Sequence, residues 1–360
     1  DRTNGLPLEE ETIAEVFKTN GYRTAAIGKW HLGSRDEQHP NNRGFDLFYG
    51  MKAGGRDYFY NEKKSDRPGD ERNLLLNDRQ VKFEKYLTDA FSEKAVEFIN
   101  ESSQPFMMYL AYNAVHTPMQ ATDEDMAKFE GHPRQKLAAM TYALDRGVGT
   151  VIRGLKDSGK FDNTLIFFLS DNGGATTNQS SNYPLKGFKG NKFEGGHRVP
   201  YFVVWKNGIP AGKPYDGLVS SLDIFATAID AASISKTRNR LDGVSLLPYL
   251  KGKKGEPHKV LYWRKMDTRA IRSGDYKLII THGVDSVLYN IRRDPEEMNN
   301  LINKEPDLYR KLAKKLAKWE KNECIEPSWL EEGWRKITNR YHQQLMHNEI
   351  KTAQDLYKKK

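Results

Sequence analysis

A lysine and a histidine two residues apart, in Gly28-Lys29-Trp30-His31, are the first residues along this chain whose types could do chemistry. On extended backbone both would face one cleft, because side chains two apart share a face. Lys29 could then hold an anionic oxygen as a point charge, and His31 could donate a hydrogen bond or move a proton. The same pair also suits a surface lysine beside a satisfied core histidine. Asp171-Asn172-Gly173-Gly174 offers a carboxylate and an amide oxygen on a glycine turn, the donor type of a hard cation such as Ca²⁺ or Mg²⁺, or else an ordinary Asn-Gly turn. Residues 184–200 pack four glycines and five basic groups (Lys186, Lys189, Lys192, His197, Arg198) into one stretch. Glycines let backbone and lysines approach an oxyanion closely. Gly190 is followed by Asn191, which rules out a phosphate-binding P-loop, so the alternative is a basic surface loop. His116, in Ala114-Val115-His116-Thr117-Pro118, is either catalytic or a capping group.

These groups need elements to hold them. Apolar residues at helical spacing predict helices over 9–20, 87–100, 135–159 and 307–321, and short apolar runs predict strands over 24–27, 105–111 and 164–169. Helices alternating with strands argue for an α/β layered sheet, whose function gathers at the carboxyl ends of its strands. Lys29 and His31, His116, and Asp171-Asn172 all follow such ends. Residues 34–75, polar and rich in Gly, Arg and Asp, read as a long loop. From about 257 the pattern changes to short strands (260–264, 268–272, 276–281, 287–290) followed by a helix. The expected division is a catalytic domain over 1–256, a small antiparallel sheet with a helix over 257–325, and a charged helical tail over 326–360.

The chain has 360 residues, 38% hydrophobic and 29% charged, which suits a globular protein. No apolar run reaches the ~20 residues of a membrane-spanning helix. The net charge of +9 is either simple solubility or attraction to an acidic substrate. No recognition-helix, zinc-finger or stacking signature accompanies it, so nucleic acid is excluded as a partner. Cys324 is the single cysteine, so no intrachain disulfide or thiolate zinc site exists.

Together, in this order, the motifs resemble the sulfatase family of the alkaline-phosphatase-like superfamily. Residues 21–33 (GYRTAAIGKWHLG) are similar to a family signature nearly throughout; Asp171–Gly174, residues 185–200 with Glu194-Gly195-Gly196-His197-Arg198-Val199-Pro200, and residues 270–278 (AIRSGDYKL) match as well. The resemblance spans about 5–320. It implies a large mixed sheet flanked by helices plus a small C-terminal antiparallel sheet with a helix. It also implies hydrolysis of sulfate esters, a divalent cation (usually Ca²⁺) held in part by Asp171 and Asn172, and Lys29 and Lys189 gripping the sulfate and the nucleophile. His31 would stand beside the nucleophile and His116 would contact the sulfate and protonate the leaving alcohol. A sulfated carbohydrate is the implied substrate, with the basic, aromatic-rich loop 52–67 as a candidate lining and His197, Arg198 and Arg264 as candidate contacts. A periplasmic or secreted location follows from the resemblance alone.

One departure matters. The family's nucleophile is a formylglycine made from a Cys or Ser in a Cys/Ser-x-Pro-Ser-Arg stretch, and no such stretch occurs in these 360 residues. Nor is the family's paired-Asp strand present. The expectation is therefore a chain lacking its nucleophile segment and inactive alone. Two other readings stand beside it: a non-catalytic binder of sulfated glycans, and a phosphatase or phosphodiesterase of the same superfamily, for which the His-rich spacing of a two-zinc site is missing.

Overall fold

The computed structural model describes residues 5–178, 180–324 and 332–358. The chain forms two compact units: 1–165 with 204–212 and 221–247, and 166–203 with 213–220 and 248–360. It passes between them repeatedly, where the sequence suggested divisions only near 257 and 326.

In the first unit, Thr12 and Glu15 form a reciprocal capping box that starts the helix Ile13–Thr19. Strand β1 (Arg23–Lys29) pairs in parallel with β2 (Leu47–Met51) on one side and, with β3 (Leu75–Leu76), β4 (Arg79–Gln80) and β5 (Phe106–Ala111), makes a five-stranded mixed sheet of order β4-β3-β2-β1-β5. Both faces of β1 are covered. Ala25 and Ile27, with Tyr49 and Met51, pack with Phe91 and Phe98 of the helix Leu87–Glu101 and Met140 of the helix Gln135–Asp157. Ala26 and Phe48 pack on the other face with Ala14, Trp30 and Phe45. A strand buried on both sides loses polar alternation, which is why β1 reads as a plain apolar run.

β2 corrects the reading of 34–75 as loop. A core strand runs through that stretch, preceded by short 3₁₀ turns at Asp36–Gln38 and Pro40–Arg43. Five apolar residues, Leu-Phe-Tyr-Gly-Met, carried the signal inside a polar surrounding.

In the second unit, β6 (Ile166–Leu169) and β7 (Tyr201–Val204) form a two-stranded sheet that leaves Phe168, Phe202 and Val204 exposed. Strands β8 (Val260–Lys265), β9 (Thr268–Ser273), β10 (Tyr276–Thr281) and β11 (Asp285–Asn290) follow as an antiparallel meander. Alternate residues serve alternate faces, as the two-residue period of a strand requires. Ile271, Leu278 and Leu288 meet Leu312 and Leu316 of the helix Pro306–Glu323. Ala270, Ile279, Val287 and Tyr289 meet Phe188 and Phe193 and also Leu345, Met346, Ile350 and Ala353. The stretch read as a charged tail thus closes the second face of this sheet, through the helix Glu332–Met346 and the residues after it. Residues 326–331, 359 and 360 of that stretch lie outside the described residues.

Candidate active site

Lys29 ends β1, opposite Met51. Beyond it the backbone keeps bonding to the neighbouring segment: Trp30 N–H donates to Met51 O at 2.9 Å and His31 N–H to Lys52 O at 3.0 Å. Trp30 turns inward, its indole N–H donating to Gln38 O at 3.0 Å and its ring meeting Phe45 edge-on. His31 adopts φ +54°, the left-handed region uncommon for a residue other than glycine. Simple strand alternation therefore does not carry from Lys29 to His31, so the condition under which the two would share a face is not met. The ring of His31 instead lies against Gly54, where an added Cβ would stand 2.6 Å from Cε1 and 2.7 Å from Nε2. A Cβ on the next residue, Gly55, would stand 3.3 Å from Nδ1 of His116. One Gly-Gly pair, unremarked in the sequence, brings both imidazoles to the same strip of backbone.

His116 is set by the loop after β5. Tyr58, fully buried, donates its hydroxyl toward Asn113 O at 2.7 Å and His116 O at 2.9 Å. The Nδ1 of His116 lies 2.8 Å from Thr117 O. A carbonyl can only accept, so Nδ1 carries the hydrogen, and Nε2 has no hydrogen bond among the described residues.

The loop 52–67 is less a lining than a knot. Arg56 and Asp66 pair at 2.7 Å with neither side chain exposed, Ser65 donates to Asp57 at 2.6 Å, and the Arg56 guanidinium covers Phe83. Arg56 and Tyr58 of this loop serve the interior of the first unit, whereas Phe59, Glu62–Lys64 and Arg67 stand out to solvent.

In the second unit, Asp171 and Asn172 follow β6. Ser170 donates its hydroxyl to Asn172 O at 2.8 Å, and Gly173 N–H donates to Gly196 O at 3.1 Å. A Cβ on Gly173 would lie 1.8 Å from Gly195 O, so only glycine fits. Lys189 joins the same turn by donating its N–H to Gly174 O at 2.9 Å. Asp171, Asn172 and Lys189 are thus tied together by backbone, and the exposed Asp171 carboxylate has no hydrogen bond or ion pair among the described residues.

His197 sits differently from its expected place on substrate. Its ring stacks on Trp263 at 4.6 Å, and its Nε2 lies 3.0 Å from Lys277 Nζ and 3.1 Å from Lys192 O. Either tautomer spends Nε2 on the interior. Burial and the neighbouring Lys277 push its pKa down to about 3. Lys277, wholly buried, also meets Glu194 at 2.8 Å and Glu297 at 3.0 Å. Burial penalises both carboxylates. For Glu194 the attraction of Lys277, His197 and Arg272 outweighs that penalty and holds it below the usual range, while Glu297 remains raised. Arg264 lies beside Glu320 at 3.4 Å in a half-buried position, and Arg198, 56% exposed, reaches Glu194 at 3.6 Å. Of the three candidate substrate contacts, Arg198 alone is exposed.

Asp171 and Asn172 supply two hard oxygen donors, a type that fits a cation such as Ca²⁺. Among the described residues no group of three or more His, Cys, Asp or Glu gathers to hold a metal. An open hollow of about 560 Å³, lined by residues such as His39, Asp46 and Asp78, contains none of the candidate groups.

The chain matches the family model Sulfatase over residues 1–234 and the model N-sulphoglucosamine sulphohydrolase, C-terminal, over residues 189–322. It is 37% identical over 296 residues to an uncharacterized sulfatase, YdeN, of Escherichia coli (strain K12), covering 73% of this chain and 51% of that protein. It is 31% identical over 288 residues to the N-acetylgalactosamine-6-sulfatase of Canis lupus familiaris, covering 76% and 55%. The crystal structure of Ps i-CgsB in complex with k-i-k-neocarrahexaose superposes with a TM-score of 0.85 at 35% identity, covering 97% of this chain and 82% of the other. The chain belongs to the sulfatase family, and its fold is alkaline-phosphatase-like. It spans about half the length of the curated relatives it matches.

Proposed function

We propose that this protein hydrolyses sulfate esters on a sulfated carbohydrate. Breaking such an ester leaves negative charge on an alkoxide, so the reaction needs fixed cations around the sulfuryl oxygens and a proton donor for the leaving group. Lys29 and Lys189 serve as the cations. His116 serves as the donor: the Thr117 carbonyl holds its Nδ1 hydrogen and fixes the ring, which leaves Nε2 to deliver a proton to the leaving oxygen. His31 acts beside the nucleophile, a formylglycine supplied from outside these 360 residues. Asp171 and Asn172 are the residues that would hold a divalent cation, which when bound neutralises charge on the sulfate. Arg198 is the candidate contact to the sugar.

Support comes chiefly from the first unit, where the rings of His31 and His116 lie against adjacent glycines one strand away from Lys29. The sugar class draws on relatives: one of the similar solved structures is a complex with k-i-k-neocarrahexaose, and one of the curated relatives is named N-acetylgalactosamine-6-sulfatase. Action outside the cytoplasm belongs to the same reading; no described helix is long and apolar enough to cross a membrane.

Turnover of a chromogenic sulfate ester tests it. The chain alone is expected to show little, and a protein that also carries the nucleophile segment is expected to turn over and to lose at least ~100-fold on His116→Ala. Unchanged turnover in that variant, or release of phosphate in preference to sulfate, would overturn the assignment.

A further inference from the structure

Three lysines of the second unit have no counter-charge. Lys189 and Lys192 flank the turn at Gly190, and Lys265 ends β8. The Lys265 ammonium stands 3.0 Å from where a Cβ on Gly190 would be, so it lies directly against that turn. None of the three side chains makes a hydrogen bond or ion pair among the described residues.

The charges acting on Lys192 and Lys265 are other cations. Lys192 is half-buried, and burial followed by repulsion from Lys265 and Lys277 lowers it to about 8. Lys265 is lowered by burial and by Lys189. Behind them is His342, wholly buried on the helix Glu332–Met346. Its Nδ1 lies 2.8 Å from Thr338 O and so carries the hydrogen. Its Nε2, buried, has no hydrogen-bond partner among the described residues. Burial, and then Lys192 and Lys265, push His342 down to about 4. The Asn191 amide nitrogen, on the same turn, is likewise buried without a partner. The carboxylates nearest in sequence are already engaged, Glu194 by Lys277 at 2.8 Å and Asp267 by Arg335 and Asn339 at 2.7 Å each.

Holding like charges together in a dry setting is unfavourable unless something of opposite sign joins them. We propose that Lys192 and Lys265, with Lys189 at the rim and His342 behind, form a subsite for a single oxyanion group, a sulfate or carboxylate. The group arrives either as a free ion or as an acid substituent on a sugar. Its arrival reverses the repulsion, so the site takes up a proton as it fills: Lys192 regains full charge, and His342 gains the Nε2 hydrogen with which it can donate to the anion.

The site shares Lys189 with the proposed hydrolysis, but its test reads equilibrium binding and needs no turnover. Inorganic sulfate, and separately N-acetylgalactosamine 6-sulfate, are titrated into the 360-residue chain by calorimetry at pH 8.5 in two buffers of different ionisation enthalpy. Binding with net proton uptake is expected. Lys192→Met and Lys265→Met should each weaken it by at least about tenfold, and Lys336→Ala, an exposed change of the same charge on the helix that bears His342, by less than about twofold. Both methionine variants remove a buried repulsion, so they should melt at or above the temperature of the parent; a fold defect is thereby separated from a lost site. Equal affinity for the two probes assigns a free anion, and tighter binding of the sugar assigns a substrate substituent. Sulfate binding left intact in both methionine variants, or no binding by the parent, overturns the proposal, and neither result touches the hydrolytic reading.

Discussion

His116 and His197 each lie within reach of a backbone carbonyl, and they end in opposite conditions. The carbonyl of Thr117 takes Nδ1 of His116 and leaves Nε2 clear on a half-buried ring. At His197 a buried ammonium and a carbonyl crowd the same nitrogen, Trp263 covers the face, and the ring is held neutral far below its ordinary range. Only His197 stands in a glycine-containing, basic stretch, yet it is the one built into the interior. The difference lies in what reaches the second nitrogen. A histidine with one nitrogen fixed and the other clear can move a proton, whereas one that accepts from a lysine is part of the frame.

The sharpest way to break this comparison is Lys277→Met. It strands Glu194 and Glu297 without their shared cation, and unfolding by urea should show a loss of about 3–5 kcal/mol. A loss under about 1 kcal/mol would mean that the cluster is not a frame at all. Acid probes the same region. His197 and His342 have folded pKa values of about 3 and about 4 against an ordinary 6.5. The unfolded chain therefore binds protons that the folded chain refuses, and stability falls as pH drops from about 6.5 toward 4, by on the order of 3 kcal/mol per histidine once fully expressed. His197→Gln should flatten its share of that slope; a slope left unchanged in that variant would erase the distinction.

Gly54→Ala sharpens the other side. Its methyl would push the His31 ring aside, so in a protein carrying the nucleophile segment turnover should fall on the order of 100-fold, with melting little changed. The smallest effect belongs to Arg198→Ala. At 56% exposed it should move stability by no more than ~0.5 kcal/mol, and as a sugar contact it should raise KM and leave kcat nearly as it was.

The sequence made much of this plain because several groups sit at strand ends. β1, β5 and β6 are short, apolar and bounded by turn residues, so Lys29, His116 and Asp171 could be placed on a sheet before any geometry was known. β2 escaped because five apolar residues were surrounded by a polar stretch; the tail was read as helical, but the packing of its helix Glu332–Met346 on the sheet escaped because the apolar positions are diluted by Lys, Arg and Gln. The role of His197 was not readable: its partners Trp263 and Lys277 lie 66 and 80 positions further on, and spacing carries no sign of a contact made through the fold. The Gly54-Gly55 pair looked like any loop glycine until two imidazoles were found against it.

The contact between Gly173 and Gly195, too tight for even one methyl, has an evolutionary edge. The turn that carries Asp171 and the turn that roots the buried charges cannot drift independently: a substitution tolerated in one must be answered in the other. A deep mutational scan should therefore see these two remote loops behave as one heritable block.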